Sequence, residues 1–126
     1  MIVVFDTNVV VSAAFWAGSD DRRCFTLVAK RKCRLATTEE ILAEYRELAE
    51  RIRQKKFPQK NPKPLLDWIA LKSLIVEPVS LGKQRSRDAE DDPFLACALA
   101  SEAKIIVSKD LDLLELHKPF GIDWMG

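Results

Sequence analysis

The chain has 126 residues, 48% hydrophobic and 31% charged, with a formal net charge of +1, which reads as one globular domain over residues 1–126 and by itself argues neither for nor against nucleic acid. Its longest uncharged stretch, residues 7–19, is too short and too polar at its ends to span a bilayer, and Asp6 interrupts any signal-peptide core, so a cytoplasmic chain with no membrane partner is expected. Cys24, Cys33 and Cys97 are odd in number and lack C-x-x-C spacing, which argues against a disulfide framework or a zinc site and for reduced, buried thiols.

Residues 1–5 are an unbroken apolar run that passes into Asp6, Thr7 and Asn8. A run without alternation is a strand buried on both faces, with its polar residues delivered just past its carboxyl end. Residues 9–16 suit a packed helix entered through Thr7 or Asn8 as cap. In an open parallel α/β sheet, ligands sit outside the carboxyl ends of the strands where strand order reverses. Asp6 is therefore placed where chemistry would be done.

Ser19 offers a cap for a helix over 20–31, with Asp20 and Asp21 in its first turn and Lys30 and Arg31 in its last, as the helix dipole favours. Cys24, Leu27, Val28 and Arg31 share one face of it, and a short strand at 33–36 follows. Thr37-Thr38-Glu39-Glu40 matches a capping box with Thr37 as cap. The helix it opens carries Ile41, Leu42, Tyr45, Leu48, Ala49 and Ile52 at helical period. Glu44 projects from that apolar face, whereas Glu47 and Glu50 fall toward water. A carboxylate so placed must be neutralised, paired with an arginine or bound to a cation, because burying it bare is costly.

From 51 to 63 the chain is basic and acid-free, with Arg51, Arg53, Lys55, Lys56, Lys60 and Lys63. Taken alone such a run is a solvated surface; beside an acidic site it becomes a track for a phosphate backbone, with Phe57 or Trp68 able to stack on a base. A helix over 64–72 (Leu65, Leu66, Trp68, Ile69, Leu71) and a strand over 74–77, stopped by Pro78, come next. Lys83, Arg85 and Arg87 form a second basic patch in the loop that follows.

Asp88-Ala89-Glu90-Asp91-Asp92 is an acidic cluster, and Asp92-Pro93 is a helix start with Asp92 as cap. Capping needs one aspartate; the others crowd negative charge, which costs free energy unless a cation relieves it. Residues 94–100 are apolar nearly all round, so this helix is expected to be buried. Residues 104–108 repeat the opening pattern and bring Asp110 to the end of a strand just as Asp6 is brought, and a final strand is expected at 120–124. His117, the only histidine, is read as surface, which leaves no Ser/His/Asp or Cys/His apparatus, and there is no glycine-rich phosphate loop.

The inventory is thus Asp6, Glu44, Asp92 or Asp91, and Asp110, with Thr7, Asn8 and Ser108 beside them. Hard oxygen donors in this number, without histidine or thiolate, select Mg²⁺ or Mn²⁺ over zinc. One or two such ions lower the pKa of bound water, orient a phosphodiester and stabilise the leaving oxygen. The simplest chemistry is metal-dependent phosphodiester hydrolysis, with Arg51, Arg53, Lys55, Lys56, Lys60, Arg85 and Arg87 as the surface on which a polynucleotide lies.

At these residues the sequence resembles the PIN-domain ribonucleases, in particular the small VapC-like PIN proteins classed as toxins of toxin–antitoxin pairs. The resemblance spans the chain. It rests on apolar-Asp6-Thr7-Asn8, on Glu44 in Ile41-Leu42-Ala43-Glu44-Tyr45, on Asp91-Asp92-Pro93-Phe94-Leu95-Ala96, and on Ile106-Val107-Ser108-Lys109-Asp110. It implies a three-layer α/β/α sandwich around a parallel five-stranded sheet of order 3-2-1-4-5, and Mg²⁺- or Mn²⁺-dependent cleavage of RNA. It also implies a partner antitoxin and a homodimer. By position, Asp6, Glu44, Asp92 and Asp110 would be the catalytic, metal-holding acids, with Asp91 as the alternative third acid. Asn8 would support the turn at Asp6, and Ser108 would orient Asp110. Two other readings compete: a catalytically silent PIN-like module that binds RNA or protein, and a phosphoacceptor receiver domain. The receiver lacks support, since the third strand ends in Glu77-Pro78 without the required aspartate.

Overall fold

The unbroken apolar run at the amino terminus becomes β1 (Ile2–Phe5), and Val3, Val4 and Phe5 are all buried, so both faces of the strand are covered, as absence of alternation requires. In order along the chain come α1 (Thr7–Phe15), β2 (Arg34–Thr37), α2 (Glu39–Lys56), α3 (Lys63–Lys72), β3 (Leu74–Ile75), α4 (Asp92–Ser101), β4 (Ile105–Val107) and β5 (Asp123–Met125). These are the elements of a computed structural model that describes residues 2–15, 25, 26, 28–82, 92–107 and 123–125.

The strands form one five-stranded sheet in the order β3-β2-β1-β4-β5, all neighbours parallel. β1 is central. On one side Val3 stands opposite Leu35 of β2, and on the other Val3, Val4 and Phe5 stand opposite Ile105, Ile106 and Val107 of β4. The chain steps from β1 to β2 to β3, then crosses back past β1 to β4, so strand order reverses between β1 and β4. Right-handed crossovers then put α1, α2 and α3 on one face and α4 on the other. In keeping with this, α2 packs on α1 and α3, and α4 packs on β1, β2 and β4. The fold is the expected three-layer α/β/α sandwich with the expected strand order.

The core is built from Val3, Val4, Phe5, Leu35 and Ile106 in the sheet, from Val9, Val10 and Phe15 on α1, and from Ile41, Tyr45 and Ala49 on α2. Leu66 and Ile69 on α3, and Leu95, Cys97 and Ala98 on α4, complete it. Phe25 joins them, edge-on to Phe5 at 4.9 Å between ring centroids and to Trp68 at 6.4 Å. Cys33 and Cys97 are free thiols, and burial pushes Cys97 up to about 12, so it is a neutral core residue. No helix among the described residues is long and apolar enough to cross a membrane.

Several local expectations are corrected. The cap of α1 is Asp6 rather than Thr7 or Asn8: its Oδ1 accepts from the Val9 amide at 2.9 Å, three residues on, and Thr7 is already helical. The cap of α2 is Thr38, whose Oγ1 accepts from the Ile41 amide at 3.1 Å. Thr37 is held in β2 instead, where its carbonyl accepts from Val76 at 2.9 Å, and a residue in the ladder is not available as a cap. Asp92 is the first residue inside α4 rather than its cap, and Asp91 before it lies outside the described residues. Arg31 does not share a buried face; it is exposed, with φ of 60°, at the turn after the helical residues 28 and 29. Leu71 is 78% exposed rather than core, because α3 turns that edge away from α2 and β2. The strand expected at 74–77 is confined to Leu74–Ile75, and the last strand lies at Asp123–Met125.

Candidate functional site

Asp6 is delivered by β1 and held by two neighbours. Its amide donates to the Val107 carbonyl of β4 at 3.0 Å, which prolongs the ladder by one residue, and its carboxylate then caps α1 through Val9. Only 3% of the residue is exposed, yet its negative charge lies at a helix N-terminus, where the macrodipole favours it. Thr7 follows inside α1 and is buried, and its Oγ1 has no hydrogen-bond partner among the described residues. Asn8, one residue further, is exposed.

Glu44 reaches the same region from α2. It is half-buried, beside fully buried Tyr45, whose hydroxyl donates to the Phe5 carbonyl at 2.5 Å. Burial first, then the neighbouring Cys97, Asp6 and Glu44, hold this phenol well above its ordinary value, so it is a neutral donor. Glu44, which precedes Tyr45 on α2, and Asp6, which follows Phe5 of β1, thus each lie one residue from the Tyr45–Phe5 hydrogen bond, although 38 positions apart in the chain (44 minus 6). Sequence reasoning places Tyr45 in the core and gives it no part in the site. The signal that could have found it is chemical: it is the only tyrosine, on an otherwise aliphatic stripe, and a buried phenol must find an acceptor.

Asp92 lies at the start of α4, half-buried, on the wall of an open groove of about 440 Å³. Thr38 and Glu40 from the start of α2, and residues 78–82 after β3, form the other walls. Each of these follows the carboxyl end of a strand or opens a helix there, so the groove and Asp6 share the same edge of the sheet. Asp91, Ser108 and Asp110 lie outside the described residues. In sequence Ser108 and Asp110 follow directly on Val107, the residue of β4 opposite Phe5.

Among the described residues no group of three or more His, Cys, Asp or Glu is placed to hold a metal ion. What they supply is the carboxylate pair Asp6 and Glu44 beside the buried, unpartnered hydroxyl of Thr7, an all-oxygen set that fits a hard divalent cation and offers nothing to a soft one.

The basic stretch divides. Arg51 pairs with Glu47 at 2.8 Å, and Arg53 pairs with Glu50 at 2.6 Å and also donates to the Pro58 carbonyl at 3.1 Å. The bonds from Arg53 hold Glu50 below its ordinary range. Lys60 donates to the Phe15 carbonyl at the end of α1 at 2.7 Å, 4.8 Å from the centre of the Phe57 ring, which itself stacks on Phe15. Lys55 and Lys56 are exposed in the last turn of α2. Arg85 and Arg87 lie outside the described residues.

An open parallel sheet that presents carboxylates beside its switch point defines an α/β domain whose ligand is met at the carboxyl edge of the strands. A family model described as PIN domain matches residues 2–112, and the chain belongs to that family. A search of the curated proteins found no match. Among solved structures, the crystal structure of VapBC2 from Rickettsia felis bound to a DNA fragment from their promoter contains a similar chain. The likeness has a TM-score of 0.68 over 98% of this chain and 97% of that one, at 19% identity, and it is a likeness of fold.

Proposed function

We propose that the protein is a Mg²⁺- or Mn²⁺-dependent endoribonuclease, and that it is the toxin of a cytoplasmic toxin–antitoxin pair, acting as a homodimer held in check by a partner antitoxin. The observation that carries the reading is the Tyr45–Phe5 hydrogen bond, which joins the helix turn carrying Glu44 to the strand end carrying Asp6 at the carboxyl edge of the sheet, in a chain of the PIN family. Asp6, Glu44, Asp110 and one of Asp92 and Asp91 would hold the metal. When bound, it supplies Lewis-acid stabilisation of the phosphoryl oxygens and a water of lowered pKa.

The chain's own residues do the rest. The Val9 amide holds the Asp6 carboxylate at the start of α1, and α2 carries Glu44. Asn8 supports the turn after Asp6, Thr7 supplies a hydroxyl next to it, and Ser108 orients Asp110. Lys55 and Lys56, joined by Arg85 and Arg87, take the phosphates of the bound strand, while Arg51, Arg53 and Lys60 contribute charge from positions already engaged in the fold. The likeness to a chain of the VapBC2 structure supports the antitoxin, and the basic surface supports RNA.

The test is cleavage of a generic single-stranded RNA with Mg²⁺ or Mn²⁺ and with EDTA, by the native protein and by Asp6→Asn. Cleavage that needs the metal and is lost in the variant is the expected result. Cleavage that survives both EDTA and Asp6→Asn rules the reading out. RNA that is bound but never cut makes the protein a binding module instead.

A further inference from the structure

β1 is in register with β2 at Ile2 and Val3 and with β4 at Val3, Val4 and Phe5. The Tyr45 hydroxyl reaches the carboxyl end of β1. It donates to the carbonyl of Phe5, the last residue of β1, at 2.5 Å. The peptide whose carbonyl it holds is the one that leads into Asp6. The residue before Tyr45 is Glu44. One buried side chain therefore ties the strand end that presents one carboxylate to the helix turn that presents the other.

We propose that Tyr45 is a positioning residue that sets the separation and aim of Asp6 and Glu44. The proposal rests on the reading that these two acids hold a divalent ion. The Phe5–Asp6 peptide is held on its N–H side by the Val107 carbonyl of β4, and on its carbonyl side it accepts from Tyr45 of α2. The phenolic hydrogen bond ties the other side of that peptide to α2 at the point where the chain leaves the sheet, and a hydrogen bond in a site from which water is excluded is stronger than one at the surface. Helix α2 packs on α1 through aliphatic contacts that tolerate small sliding, and a directional bond to β1 does not. Supporting groups of this kind commonly change ligand affinity 10- to 100-fold without touching the ligand.

The experiment compares Tyr45→Phe with native protein and with Leu66→Ala. The first keeps the ring and removes only the oxygen. The second truncates the core in α3, an element that contributes nothing to the carboxylate site, and serves as a control for loss of stability. Two readouts are taken: hydrogen exchange at the Val9 amide, which is bonded to Asp6, and affinity for Mn²⁺ alone. In Tyr45→Phe, Val9 exchange accelerates about tenfold more than in Leu66→Ala, and Mn²⁺ affinity falls about tenfold, within the range given for supporting groups. If Val9 is no more labile in Tyr45→Phe than in Leu66→Ala, the positioning role is wrong whatever the metal does. If Val9 responds but native protein binds no Mn²⁺, Tyr45 does aim Asp6 and it is the metal reading that fails.

Discussion

Asp6 caps α1 through the Val9 amide, so the residue proposed to hold metal also holds the helix that follows it. The two duties separate by mutation. Asparagine caps as well as aspartate, whereas alanine does not cap at all, and loss of a cap costs about 1 kcal/mol. Asp6→Asn should therefore leave the denaturant midpoint nearly unchanged, and Asp6→Ala should lower stability by about 1 kcal/mol. Mn²⁺ at 100 times its Kd should add about 2.7 kcal/mol to native protein and nothing to either variant. Equal stabilisation of all three by Mn²⁺ would remove Asp6 from the metal site.

The basic residues of α2 and the turn after it should sort by the company they keep. Lys55→Ala with Lys56→Ala should weaken RNA binding and reduce the salt slope by about 0.7 for each phosphate no longer neutralised, with stability unchanged. Lys60→Met should act on the fold instead, because the ammonium sits on the Phe15 carbonyl at the end of α1, and its removal should cost about 0.5–1 kcal/mol. A salt titration of RNA affinity beside a urea melt of each variant checks both. The reverse pattern would mean that Lys60 belongs to the RNA track.

Glu102 ends α4 with φ of 62°, and the amides of Glu102 and Ala103 return to Leu99 and Ala98 at 3.4 and 2.9 Å. This is the C-terminal motif that favours glycine at its left-handed position, and an L side chain there is strained. Since Glu102 is exposed, Glu102→Gly should raise stability by about 0.5–1 kcal/mol. Thermal melts of the pair suffice, and a destabilised glycine variant would contradict the strain argument.

Cys97, moved by burial from 9.0 to about 12, stays neutral in the folded state while the unfolded chain ionises. A raised folded pKa gives stability that is fully present below pH 9.0 and is lost as pH rises toward about 12, at up to about 1.4 kcal/mol per unit. Urea melts from pH 7 to pH 11 should therefore decline from about pH 9, and Cys97→Ala should flatten the part of that decline below the tyrosine range. Native protein should also resist alkylation at Cys97 at pH 8. Rapid modification there would show that α4 opens readily.

Apolar patterning along the chain was enough to announce β1, α2, α4 and β4, because burial on one or both faces leaves a local period that needs no knowledge of the partner. It also brought Asp6 to a strand end and Glu44 to the inward face of a helix, since each lies at a fixed offset from such a run. Neighbouring polar residues could not be ranked that way. Whether Thr37 or Thr38 caps α2, and whether Asp6 or Thr7 caps α1, depends on which residue the strand ladder retains, and the ladder is a pairing with another part of the chain. The bonds from Tyr45 to Phe5 and from Lys60 to Phe15 join residues 40 and 45 positions apart. Directional bonds over such separations leave no periodic trace in the order of residues; they exist only once the layers have packed.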